Sequence, residues 1–207
     1  MTANLFTGQK VRLAAQNPET DPELYARWSS DSVFLRLMNN DPARPSRASE
    51  FRQDIERTFD KEHRYPFAVR TLADDQLIGF VALWIWSWPD AHGGLGIGLG
   101  HPDYRGRGYG TDAMRLALRY AFNELNLDRM TLQAAAYNAR AIRSYEKAGY
   151  VLLGAERERE LRDGQRQDEI TMTLRRADWN NSLGDTLLPY IHAFDKPADR
   201  PATEQPQ

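Results

Sequence analysis

Cysteine is absent from the 207 residues. Disulfides, thiolate zinc sites and cysteine nucleophiles are therefore excluded, and no metal centre is expected. An excess of charge is missing too. The 27 Lys and Arg stand against 29 Asp and Glu, a formal net charge of −2. Such a chain exerts no global pull on nucleic acid or on an anionic membrane, so neither is expected as a partner. No apolar run is long enough to span a bilayer. The opening "MTANLFTGQKVRL" has no apolar core of the kind a signal peptide carries. A soluble, cytoplasmic protein is the expectation.

The composition that remains, 41% hydrophobic and 27% charged, is that of a globular protein with one packed domain. That domain is expected over residues 1–179, with a C-terminal extension over 180–207. In the extension, "LLPYIHAF" reads as a short docked segment. "DKPADRPATEQPQ", rich in proline and polar residues, reads as disordered. Within the domain, "KVRLAA" alternates like a strand, and "PETDPELYARWSSD" carries proline and acids early, as helix starts prefer. Residues 32–62 read as helical pieces broken by the turn chemistry of "NNDPARPS". "YPFAVRT" and "LIGFVALWIWSW" read as strands joined by the polar "ADDQ".

Residues 93–100, "GGLGIGLG", place glycine at 94, 96, 98 and 100 and Leu95, Ile97 and Leu99 between them. A strand of this pattern has one apolar face and one bare face. A bare face marks the close approach of a ligand or of other protein, and the pattern alone does not choose between them. Further on, "TDAMRLALRYAFNEL" is an amphipathic helix with Met114, Ala117, Leu118, Ala121 and Leu125 on its stripe. "RMTLQAAAY" reads as a strand. Asn138 then caps a short helix that Gly149 closes. "YVLLGA" reads as a strand, and Asp163-Gly164 marks a hairpin turn. The order of elements gives a mixed α/β domain.

Between the glycine strand and the long helix lies "HPDYRGRGYG", residues 101–110. The first turn of a helix offers unpaired N–H groups and partial positive charge, which suits phosphate. Glycines at 106, 108 and 110 let the backbone adopt positive φ, so that successive N–H groups converge. The spacing G-x-G-x-G is not the dinucleotide fingerprint. Gly110-Thr111-Asp112 is not the end of a nucleoside-triphosphate loop.

Arg105-x-x-Gly108-x-Gly110 instead resembles the pyrophosphate loop of the GNAT superfamily of acyl-CoA N-acyltransferases. "NARAIRSYEKAGY", residues 138–150, resembles that superfamily's second signature, one helix and one strand downstream. The glycine strand with its loop and the hairpin "LRDGQRQDEITMTLR" are similar to the branch that acetylates ribosomal-protein N-termini. The resemblance implies a central, mostly antiparallel twisted sheet with helices on both faces. It implies an acetyl-CoA-dependent transfer to a primary amine, either a protein N-terminus or a small molecule, by direct attack. Homodimers are common in the family.

Carried over residue by residue, the resemblance assigns Gly98, Leu99 and Gly100 to the pantetheine arm. It assigns Arg105, Gly106, Arg107, Gly108, Tyr109, Gly110 and Thr111 to the pyrophosphate, and Asn138 to the cofactor arm. Tyr145 becomes the general acid, although helical spacing alone makes it a core residue. Arg140 and Arg143 are further candidates for the phosphates. The family's usual glutamate falls at Gly94 or Leu95, so no carboxylate stands there; His92 or Asp90 is a candidate substitute. Residues 32–62 are expected to wall the acceptor side, where Asp31, Asp41 and Glu50 could attract a cation. Trp84, Trp86 and Trp88 are expected on one strand face, either lining an acceptor pocket or packed under a helix. The alternative function is an acyl-CoA-binding module without turnover.

Overall fold

The computed structural model describes residues 4–39, 41–59 and 62–182. The docked and disordered segments expected beyond residue 182 lie outside them. Seven strands form one sheet in the order β1-β2-β3-β4-β5-β7-β6. These are β1 (Val11–Ala14), β2 (Arg64–Thr71), β3 (Leu77–Ser87), β4 (His92–Gly98), β5 (Arg129–Ala135), β6 (Val151–Arg162) and β7 (Gln165–Arg175). Every neighbouring pair is antiparallel except β4 and β5. The helices are α1 (Asp21–Trp28), α2 (Ser32–Met38), α3 (Ala48–Phe59), α4 (Tyr109–Arg119), α5 (Ala139–Lys147) and α6 (Arg176–Ser182).

Alternation along the strands shows that both faces of the sheet are covered. Ala68 and Leu77 join Tyr25, Trp28, Phe34 and Ile55, the buried side chains of α1–α3. Their neighbours Val69 and Ile78 join the buried stripe of α4, which includes Met114, Ala117 and Leu118. Adjacent strand residues point to opposite faces, so α1–α3 lie on one face and α4 on the other. The larger core extends to Trp179 of α6, whose ring lies 5.2 Å from that of Phe122.

The helix expected over residues 111–125 begins two residues earlier and changes pitch at its end. Over Tyr120–Glu124 it widens to a π turn, with Leu125 N–H bonded to Tyr120 O at 3.1 Å. Tyr120 there packs against Phe6, Phe67 and Tyr65. At the other end of α4, the Asp112 carboxylate accepts N–H bonds from Gln9, Lys10 and Val11. These bonds fasten the start of β1 to the first turn of the helix that carries the glycine loop.

Candidate active site

The parallel pairing of β4 and β5 covers three residues, His92–Gly94 against Arg129–Thr131. Beyond Gly94 the two strands part, and a cleft opens between them. Helix α2 closes its top. Asp31 caps α2 by accepting the Phe34 N–H at 3.0 Å. Phe34, Leu37 and Met38 then face the cleft. One part of residues 32–62 therefore lines the cleft.

On the side of α4 and α5 the cleft holds a cavity of about 260 Å³. Gly98, Leu99, Arg105, Gly106, Gly108, Gly110, Thr111, Asn138, Arg140, Arg143 and Tyr145 all line it. The sequence places these residues in three separate segments, and the fold brings them to one wall. Gly106 and Gly108 have φ of +73° and +89°, a region that side chains strongly disfavour. Gly108 is the N-cap of α4, so the loop runs directly into the helix terminus. Three expected residues stand apart. Gly100 packs against the Trp28 ring. Arg107 is exposed and donates to Asp103 O at 3.1 Å. The Tyr109 ring lies between Tyr104 and Lys10, leaving only its backbone at the helix start.

Arg105 lines the cavity, yet its guanidinium is committed elsewhere. It donates to Leu99 O at 2.8 Å, to Gly100 O at 2.6 Å and to the Asp31 carboxylate at 3.1 Å. Its side chain thus locks the end of β4 to the loop and to the cap of α2. The cations that remain at the rim are Arg140, Arg143 and Lys147 of α5. They recur at i, i+3 and i+7, one face of the helix; Lys147 was legible from this spacing but escapes a motif search. The hydroxyls of Thr111 and Ser144 lie 2.9 Å apart and join α4 to α5.

Asn138 is buried and works twice. Its side-chain oxygen accepts the Ala141 N–H at 3.2 Å, the expected N-cap, and its amide nitrogen reaches Leu37 O of α2 at 3.5 Å. Two turns along α5, Tyr145 is partly buried, packed against the main core and open to the cavity. Core residue and cavity residue are both correct descriptions of it. Burial pushes its phenol up to about 12, so it stays protonated throughout the neutral range and has a proton to donate.

The bare face of β4 is covered by the protein itself. A Cβ on Gly94 would fall 2.6 Å from the Trp86 ring, one on Gly96 2.7 Å from the Trp84 ring, and one on Gly98 2.8 Å from Met38 Sδ. The glycines make room for indoles laid across the strand from β3. Of the two readings the glycine pattern left open, close approach by other protein holds at Gly94 and Gly96; the end of the strand, at Gly98, borders the cavity at α5. Trp84 and Trp86 stay partly exposed, at 37% and 49%, and the His92 ring meets that of Trp86 edge-on at 4.7 Å. Trp88 departs from the set. It follows the end of β3, and its indole donates to His63 Nδ1 at 2.7 Å.

Those two indoles border a second cavity of about 280 Å³ on the far side of the cleft, which also touches Leu37 and Met38. Its acid is Glu169 of β7, buried and aligned opposite Ala135 of β5. Neither candidate base from the sequence lies here. His92 sits at the closed end of the cleft, bonded to Thr131 and Arg129. Asp90 caps an exposed turn through Ser87. The cation-attracting acids are also occupied: Asp31 by Arg105, and Glu50 by Arg44. Asp41 is exposed and lines neither cavity. Glu169 escaped the sequence because only the pairing of β5 with β7 brings it into the cleft.

Known proteins are similar to this chain in sequence and in fold. The chain is 24% identical over 184 residues to the SPbeta prophage-derived uncharacterized N-acetyltransferase YokL of Bacillus subtilis, across 89% of this chain and 100% of that one. It is 30% identical over 135 residues to the Probable N-acetyltransferase YjcK of Bacillus subtilis, across 64% and 71% of the two. Among solved structures, the spermidine N-acetyltransferase from Vibrio cholerae in complex with CoA and spermine matches with a TM-score of 0.74 at 23% identity, over 83% of this chain and 98% of that one. The family described as acetyltransferase (GNAT) domain matches residues 11–151. The chain belongs to the GNAT acetyltransferase family, and it is an N-acetyltransferase.

Proposed function

We propose that the enzyme transfers the acetyl group of acetyl-CoA to the nitrogen of a small primary amine, with Tyr145 as the general acid. One observation carries this: the glycine loop, the end of β4 and the Tyr145 phenol share one cavity, and a second cavity meets it across the cleft. The donor fits the first cavity by chemistry. Converging N–H groups of the loop and the start of α4 suit a pyrophosphate, and Arg140, Arg143 and Lys147 suit further phosphate oxygens. The thioester of acetyl-CoA supplies the activated acyl group.

The chain's own residues then meet the demands of transfer. As the amine nitrogen bonds to the carbonyl carbon, the carbon–sulfur bond breaks and charge builds on sulfur. The Tyr145 phenol donates a hydrogen bond to that sulfur. A thiol has a reference pKa of about 8.5, below that of the buried phenol, so the proton that Tyr145 gives to sulfur as CoA leaves as a thiol is promptly replaced from solvent. Glu169 faces the amine from the acceptor cavity, orients it and takes up the proton it loses. The cavity is small, and the Vibrio cholerae relative is a spermidine enzyme. Both features support a small-molecule acceptor over a ribosomal-protein N-terminus.

A thiol-release assay with acetyl-CoA and a panel of amines tests this, and the protein adds no thiol of its own. Tyr145→Phe is expected to lower kcat by about a hundred-fold while KM for acetyl-CoA stays within two-fold. Unchanged kcat removes Tyr145 as the acid. The second reading, an acyl-CoA-binding module without turnover, draws support from Gly94 and Leu95, one of which stands where the family resemblance implies a glutamate. It prevails if acetyl-CoA binds and no amine in the panel is acetylated.

A further inference from the structure

Resting on the acetyltransferase reading, the roof shared by the two cavities carries an inference about Arg105. Helix α2 lends Phe34, Leu37 and Met38 to the donor cavity, and Arg36, Leu37 and Met38 to the acceptor cavity. One helix of seven residues therefore closes both. Burial alone holds it weakly, because Phe34 is its one buried side chain. A helix of two turns is marginal without tertiary support, so its place depends on side chains that reach it from other segments.

Three segments supply them. Asn138 reaches Leu37 O at 3.5 Å. At the tip of the β6–β7 hairpin, Arg162 donates to Asn39 O at 2.8 Å, and Asp163 pairs with Arg36 at 2.8 Å. That ion pair is exposed, and exposed pairs contribute little. The third tether is more sheltered. Arg105 donates through Nη1 to one Asp31 oxygen at 3.1 Å, and its guanidinium lies over the Phe34 ring at 5.1 Å. The other Asp31 oxygen accepts the Phe34 N–H at 3.0 Å. One carboxylate thus joins the cap of α2 to the glycine loop.

Arg105 is correspondingly committed to the protein. Its Nε donates to Leu99 O at 2.8 Å and its Nη2 to Gly100 O at 2.6 Å, so each guanidinium nitrogen has a protein partner. Its backbone N–H is bonded to Pro102 O at 3.0 Å. We propose that Arg105 and Asp31 are positioning residues for the acceptor side: the arginine of the loop motif holds α2 in place over the acceptor cavity and does not bind the donor's phosphates.

Asp31→Asn tests this link and spares the cap. Asparagine caps a helix as well as aspartate does, but its amide presents a donor to a guanidinium that only donates. Hydrogen exchange at residues 34–39 should quicken by about ten-fold. KM for the amine should rise by about five-fold, read with whichever of spermidine, butylamine and phenethylamine turns over fastest in the thiol-release assay. The affinity for coenzyme A, measured by calorimetry, and kcat should both stay within about two-fold of the parent. In an Arg105→Met background, Asp31→Asn should add nothing further to exchange or to KM. If that background does not fold, Asp31→Asn alone decides.

Unchanged exchange at residues 34–39 in Asp31→Asn overturns the proposal. So does a loss of coenzyme A affinity or of kcat as large as the rise in amine KM, which would mark a general loosening of the site. Either result leaves the acetyltransferase reading intact. If acetyl-CoA binds and none of the three amines is acetylated, that reading fails and the acceptor-side role fails with it.

Discussion

At the scale of single residues, His92 shows how a histidine is kept neutral by its neighbours. Arg129 approaches its Nδ1 at 3.1 Å and Thr131 Oγ1 lies 2.9 Å from its Nε2. A guanidinium only donates, so Nδ1 holds a lone pair and Nε2 carries the proton. Burial, then the charge of Arg129, lowers the imidazole below its ordinary 6.5. As pH falls through about 6.5, the unfolded chain takes up a proton that the folded chain refuses, and stability is lost. The loss is complete once pH passes the folded-state value. Asp31, Asp75 and Asp163 are lowered from 3.8 by their hydrogen bonds and arginine partners. Their stabilising effect is present above that pH and disappears only in more acidic solution, so the two windows are separate. His92→Gln should therefore lose less melting temperature than the parent between pH 7.5 and 5.5. Equal losses would show that His92 does not carry this dependence.

At the scale of elements, β3 and β4 form a pair in which one strand's missing side chains accommodate the other's largest. Gly94→Ala places a Cβ where the Trp86 ring now lies, and overpacking of this kind costs about 1–3 kcal/mol. A half-exposed indole can swing outward, so the lower end is expected. In a Trp86→Ala background the same change should cost at least ~0.5 kcal/mol less, a coupling within the range for residues in contact. Denaturant melts of the four variants measure it, and strict additivity would refute the packing account. The same pairing explains what the sequence disclosed. The loop at residues 105–110, the Asn138 cap and Tyr145 are local patterns, so spacing and resemblance found them. The covering of Gly94 by Trp86, the entry of Glu169 beside β5 and the diversion of Arg105 to Leu99, Gly100 and Asp31 depend on how the folded strands and helices meet, whether the partner is near in the chain or far. No local period encodes such contacts, and the bare face of β4 was accordingly consistent with a ligand and with an indole alike.

At the scale of the whole molecule, the proposed donor site is built from the end of β4 and the loop into α4, which are continuous, and from α5, which reaches them only once the sheet has folded. A ligand that spans all three stabilises the fold as a unit. At a hundred times its Kd it adds about 2.7 kcal/mol, which for a domain of this size raises Tm by roughly 5–10 °C. Under the proposed function coenzyme A would engage each part: its phosphates would meet the loop and the α5 cations, and its pantetheine arm would run past Gly98 and Leu99 toward Tyr145. ATP offers phosphates and an adenine but no arm. At equal concentration it should give well under half the shift of coenzyme A. Gly108→Ala should shrink the response to coenzyme A, because its φ of +89° at the helix N-cap is strained for any side chain. A shift with ATP as large as that with coenzyme A would return the loop to the class of general nucleotide sites. A Gly108→Ala protein that responds as fully as the parent would mean that the loop's N–H groups do not hold the donor.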